Sequence, residues 1–234
     1  MNKQNRFLPT TKDEMKQRGW DELDVVLITG DAYIDSPFMG IAVVGRILED
    51  IGLRVGIIGQ PDINSDVDIK RLGEPKLFWG VSGGSIDSMV SNYTATKKFR
   101  NDDDYTPGGK NNKRPDRATL VYTNLIRRYF KNTVPIVLGG IEASLRRLTH
   151  YDYWSNTLRK PILFDSKADY MIYGMGEQAI IDLGLYLKEG KDVRTIAGLC
   201  YISKEPVKEY LQIPSHKECL ENKEKYIDLF RAFY

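Results

Sequence analysis

Short apolar runs recur along the chain, separated by glycine and polar residues. Asp24 to Thr29, Arg54 to Ile58, Lys76 to Val81, Pro135 to Leu138 and Asp169 to Tyr173 are each a few residues long and mostly β-branched or aromatic. Runs of that kind predict buried strands. Between them the apolar period lengthens. Ile41, Val44, Gly45, Leu48 and Ile51 fall on one face of a helix, with Gly52 as its stop. Ser36-Pro37 reads as the helix start, since serine caps exposed amides and proline tolerates the first turn. Further helices are predicted from about Ile86, over Asp116 to Lys131, and from Glu177 to Gly190, and Gly198 to Ser203 reads as a sixth, edge strand. Strand, helix and strand in alternation form parallel pairs with right-handed crossovers. The expected fold is α/β: a doubly wound, Rossmann-like or flavodoxin-like parallel sheet of five or six strands, in the order 2-1-3-4-5.

In such a sheet the ligand edge is where the strands end. Four glycine-bearing exit loops converge on it: Gly30, Gly83-Gly84, Gly139-Gly140 and Gly174 to Gly176. Polar residues there are candidates for a substrate cavity: Asp31, Tyr33, Asp35 and Ser36 from the first loop, Ser82 and Ser85 from the third strand, Glu142 from the fourth and Glu177 from the fifth. The dinucleotide fingerprint is missing, because Gly30, Gly40 and Gly45 are too widely spaced, and there is no Walker A loop. A self-sufficient nucleotide-dependent transferase therefore has the fold but no motif. Residues 94–115 are polar and rich in Gly, Pro and charge, and read as a long flap with little apolar area to order it. The expected organisation is an extension over 1–20, an α/β domain over 21–203, and a linker with the start of another region over 204–234.

Composition narrows the chemistry. With 41% hydrophobic residues the 234-residue chain can bury an ordinary core. Lys+Arg is 34 against Asp+Glu 32, so the +2 balance does not indicate a nucleic-acid partner, although a sum hides local patches. Cys200 and Cys219 cannot by themselves complete a zinc or iron–sulfur site, so no metal is expected on this chain. The first residues have no apolar h-region, and no apolar run reaches the roughly 20 residues of a membrane span. The reading is a cytoplasmic chain without a membrane partner.

The first exit loop, TGDAYIDSPFMG, resembles the Asp-x-His-x-x-Gly loop that holds cobalamin through its histidine. Asp31 is in place, but Tyr33 stands at the histidine position and Ser36 at the glycine. Longer stretches carry a more specific likeness. RGWDELDVVLITGDAYIDSPFMGIAVVGRILEDIGLRVGIIGQPD, DSMVSNYTATKK, DYTPGGKNNKRPDRA, VLGGIEASLRRLTHYDYW and DSKADYMIYG together resemble the N-terminal half of the YgiQ-type radical S-adenosylmethionine proteins, over roughly residues 7 to 190. The resemblance implies a cobalamin-binding-like α/β domain followed by a radical SAM barrel. There a Cys-x3-Cys-x2-Cys loop would hold a [4Fe-4S] cluster, with S-adenosylmethionine on the fourth iron. No such triad occurs here, so the chain is expected to stop short of its barrel, to catalyse nothing alone, and to wall the substrate cavity over that barrel. Arg147 and His150 become candidates for anionic substrate groups or barrel contacts. The first loop offers no nitrogen ligand, so cobalamin held through histidine is not expected, and cobalamin held with no protein ligand beneath it is the alternative. It departs from the family at Ser36, where many members have histidine, and at Met175-Gly176, where many have Asn-Ala. The resemblance supplies a reaction class and leaves the substrate open, small molecule or macromolecule. A non-catalytic small-molecule-binding or partner-docking module is the alternative.

Overall fold

The computed structural model describes residues 7–207 and 209–233. Its elements are α1 (Lys12–Gln17), β1 (Val25–Thr29), α2 (Gly40–Asp50), β2 (Val55–Gly59), α3 (Val67–Lys70), β3 (Phe78–Ser82), α4 (Ser88–Asn92), α5 (Ala118–Tyr129), β4 (Ile136–Gly139) and α6 (Gly140–Leu145). They continue with β5 (His150–Asp152), β6 (Thr157–Arg159), α7 (Ile162–Ser166), β7 (Tyr170–Ile172), α8 (Glu177–Glu189), β8 (Leu199–Tyr201), α9 (His216–Glu221) and α10 (Lys223–Phe233). Six strands form one sheet in the order β2-β1-β3-β4-β7-β8, with β8 antiparallel at the edge and the others parallel. The five parallel strands keep the expected order, and the fold is the α/β class that the alternating pattern predicts.

Parallel strands are covered on both faces, which is why they read as unbroken apolar runs. Alternate residues of β1 face opposite ways. Val26 and Ile28 join Trp79, Tyr122, Ile126 and Leu138 under α5. Val25 and Leu27 join Leu48, Ile57, Phe78 and Leu183 under α2 and α8. Burial of each such side chain contributes about 1.5–3 kcal/mol. The Trp79 indole stays in the core because its Nε1 donates to Thr133 Oγ1 at 2.7 Å. No described helix is long and apolar enough to cross a membrane.

Three local expectations are corrected. The segment read as an extension over 1–20 is, from residue 7, part of the domain. Leu8 and Met15 are buried, and the Pro9 carbonyl accepts from Ile57 N at 2.9 Å, which covers the outer edge of β2. Residues 1–6 lie outside the described ones. Helix α2 begins at Gly40, three residues after Pro37, and Ser36 Oγ accepts from Phe38 N in the preceding turn. The 94–115 segment is fastened down by polar contacts: Asp103, Thr106, Asn111 and Arg114 are all buried. The β5–β6 hairpin and α7 add a small subdomain that the apolar pattern does not announce.

Candidate functional site

A cleft of about 430 Å³ opens at the carboxyl edge of the sheet. Leu27, Gly80, Val137 and Ile172 form its floor, and Ile41 and Val44 of α2 face Ile180 of α8 across it. Ser82, Gly139 and Gly174 stand at the strand ends. Its lining is mostly apolar with a few polar side chains, the usual balance of a small-molecule site. A Cβ added at Gly139 or Gly40 would meet nothing within 4 Å, so both positions border open cleft space. Helices α2, α6 and α8 all begin at the cleft without a side-chain cap. Their first amides are therefore available to an acceptor on a ligand.

The residues nominated from sequence divide. Asp31, Ser82, Ser85 and Glu177 line the cleft. Ser82 Oγ accepts from Gly84 N at 3.1 Å, and Ser85 N donates to Asp31 Oδ2 at 2.6 Å. Glu177 opens α8, half-buried, and is the acid at the mouth whose carboxylate has no hydrogen-bond partner among the described residues. Tyr33 does not line the cleft. It packs on the α2 side of the core, and its phenol accepts from Leu8 N at 3.2 Å. Burial pushes that phenol above its ordinary pKa, so it stays neutral. Asp35 is taken by a forked contact with Arg46, and Ser36 by its turn. Arg147 donates to Ser144 O and stacks over Tyr173, with 4.9 Å from guanidinium to ring centre. His150 sits in the β5–β6 hairpin with Nδ1 3.1 Å from Leu148 O, and burial lowers its pKa.

Glu142 is the clearest departure. It lies on α6, where an exit loop was expected, and is buried. One carboxylate oxygen accepts from Ser88 N and the other from Thr119 N, each at 2.9 Å. Those amides belong to the first turns of α4 and α5, so one side chain caps two helices, and its burial keeps it off the cleft lining. Asp31 is also largely spent. Arg114, buried beside it, donates Nη2 to Asp31 Oδ1 at 2.6 Å and Nε to Gly30 O at 3.0 Å, and reaches Ser91 and Asp103. Gly84, at φ +117°, passes over the same carboxylate where a Cβ would collide with it. The sequence does not announce the apolar rim of the mouth: Phe38 and Met175 are each 91% exposed, and Ile141 lines the cleft with them. Large apolar residues beside loop glycines were the available signal.

Residues 7–234 match the Radical SAM N-terminal family. The chain belongs to that family. Its relatives include a UPF0313 protein of Fusobacterium nucleatum, 60% identical over 230 residues, which covers 98% of this chain and 40% of that protein. UPF0313 proteins of Thermotoga neapolitana and Methanocella arvoryzae are 54% and 48% identical, each over 96% of this chain and over 40% and 38% of their own lengths. The chain thus spans about two fifths of the relatives it matches. Among solved structures, the radical S-adenosylmethionine methyltransferase TsrM from Kitasatospora setae, with cobalamin and a [4Fe-4S] cluster bound, superposes with a TM-score of 0.51 at 19% identity, over 78% of this chain and 29% of that one. The same enzyme with tryptophan and a SAM analogue gives 0.52 over 77% and 29%. At that identity the likeness is one of fold.

Among the described residues no group of three or more His, Cys, Asp or Glu side chains is placed to hold a metal ion. Cys200 and Cys219 are free thiols, half-buried and buried, both raised in pKa by burial. The cleft lining contains no imidazole and no thiol, and its sulfur comes only from Met175. With Tyr33 turned to Leu8, the residues present do not fit a corrinoid held through histidine.

Proposed function

We propose that this Radical SAM N-terminal chain is the cavity domain of a radical SAM enzyme, with the cluster and the S-adenosylmethionine site in a further part of the longer protein. The observation that supports it is the open, glycine-lined cleft at the carboxyl edge. When bound, the cluster with S-adenosylmethionine supplies a carbon-centred radical. What this chain contributes is confinement and orientation. The apolar floor of Leu27, Val137 and Ile172 takes the body of a ligand and excludes water from the reacting atoms. The uncapped amides of α2, α6 and α8 donate to its acceptor edge, and Glu177 accepts from a donor. Asp31 acts through position: gripped by Arg114 and by Ser85 N, it fixes the β1 and β3 exit loops relative to each other. The exposed rim of Phe38, Ile141 and Met175 is the surface that the rest of the protein covers.

The test uses the full-length protein, reconstituted anaerobically with iron and sulfide. Gly139→Leu and Gly40→Leu place a side chain in open cleft space at backbone angles any residue adopts. Cluster content and basal consumption of S-adenosylmethionine should match wild type in both. Stimulation of that consumption by a cell extract should fall at least tenfold. Full stimulation in both variants would refute the cavity role.

A further inference from the structure

A second surface on the same edge has no place in the cleft. Residues 93–112 form a surface ribbon of two successive loops, each closed by one isolated bridge. Tyr93 bridges to Phe99, Asp102 bridges to Lys110, and Asn111 N donates to Asn101 O at 2.9 Å. Its root is tied to the cleft edge, because Tyr105 O accepts from Ala32 N at 2.9 Å and Arg114 holds Asp31. Lys97, Lys98, Arg100 and Lys110 are exposed along it. Among the described residues none of these four has a carboxylate oxygen within 4.0 Å. Lys97 Nζ reaches the Trp154 carbonyl and lies over the Tyr153 ring, while Arg100 Nε reaches the Tyr93 carbonyl. Elsewhere the cations are commonly matched: Arg46 by Asp35, Arg54 by Asp24, Arg117 by Asp152, Arg146 by Asp87. The acids nearby offset these cations only in part: Asp103 is paired with Arg114, while Asp102, Asp104 and Asp116, the last accepting from Tyr93 and Asn92, keep their charge.

Beside these cations runs a chain of rings. Phe99 meets Tyr93 at 5.6 Å between centroids, Tyr93 meets Trp154 at 5.4 Å, and Trp154 meets Tyr153 at 5.4 Å. Phe99 is 55% exposed and Tyr153 48%. Ordinary packing would bury these rings or leave them single, whereas here they form a continuous ledge bordered by unmatched positive charge.

We propose that the ribbon and its aromatic ledge bind single-stranded nucleic acid, whose phosphates meet the cations and whose bases stack on the exposed rings. Neutralising phosphates releases counterions, and base–ring stacking tolerates any sequence. An acidic peptide would use the cations and gain nothing from the rings. The whole-chain charge of +2 conceals the patch because the balancing carboxylates are engaged elsewhere in the fold.

The experiment titrates the 234-residue chain into a short, fluorescein-labelled, mixed-sequence single-stranded RNA and follows anisotropy. Binding should be about micromolar at low salt and weaken with a log–log salt slope of roughly 2 to 3. The double variant Lys98→Glu, Arg100→Glu should abolish it. Phe99→Leu, which keeps the apolar contact with Tyr93 but removes the ring, should weaken it about tenfold with the salt slope unchanged, and Phe99→Tyr should bind as wild type. Polyglutamate should not compete. Absence of binding at low salt, indifference to Phe99→Leu in a chain that melts as wild type, or equal competition by polyglutamate would each overturn the proposal.

Discussion

Glu142 shows how much one side chain can settle. Its neighbours Gly139 and Gly140 mark the end of a strand, so a carboxylate three residues on looks available to a ligand. In the folded chain it is buried and shared between Ser88 N and Thr119 N. Removing it strands two amides, each costing about 1–3 kcal/mol when buried without a partner. Glu142→Ala should therefore lose roughly 2–5 kcal/mol in urea unfolding, and Glu142→Gln, which keeps one acceptor oxygen, distinctly less. A loss below about 1 kcal/mol for the alanine variant would mean the two caps are dispensable. No spacing rule reveals such a residue, because its partners lie 54 and 23 positions away in the chain.

The same separation governs what can be read at the level of elements. The parallel strands announce themselves because each is buried on both faces and must be apolar throughout. Helix α2 does so because Ala42, Gly45 and Leu48 face the sheet at helical spacing. The 94–115 segment carries no such pattern. Its order rests on Arg114, which crosses 83 positions to Asp31, and on Thr106, whose Oγ1 accepts from Gln60 at 2.6 Å. Polar fastening leaves no periodicity, so charge and glycine there look like a flap. The opening segment is illegible for a related reason: two isolated apolar residues, Leu8 and Met15, do its anchoring. Arg114→Met should uncover the difference. It leaves Asp31 and Asp103 buried without their cation, a change worth about 3–5 kcal/mol, and should free the segment to trypsin at Lys97, Lys98, Lys110 and Lys113. Wild type should resist cutting there under the same conditions, and equal cleavage of the two would show that the buried pair does not fasten the segment.

Across the molecule, the sheet order and the glycine-lined carboxyl edge where the cleft opens are legible in the apolar runs and exit loops, but the allotment of residues along that edge is not. Asp31, Ser82, Ser85 and Glu177 reach the cleft, while Tyr33, Asp35 and Ser36 turn to the α2 side, because the first loop runs on to Gly40 before its helix begins. That course carries Phe38 out to the rim, almost fully exposed, as is Met175. Two large apolar residues left in water at the mouth of an apolar cleft mark a contact surface. In relatives about two fifths of whose length this chain spans, more polypeptide is there to cover it. The direct measurement replaces Phe38, and separately Met175, with photoreactive benzoylphenylalanine in the full-length protein and maps the cross-linked peptides after illumination. Glu74, exposed ahead of β3 at the opposite edge of the sheet, serves as control. The cavity-domain account predicts that both rim positions capture peptides from the region beyond residue 234 that carries a Cys-x3-Cys-x2-Cys loop, and that Glu74 captures none of them. Rim positions that cross-link only within residues 1–234, or no more often than Glu74, would contradict it.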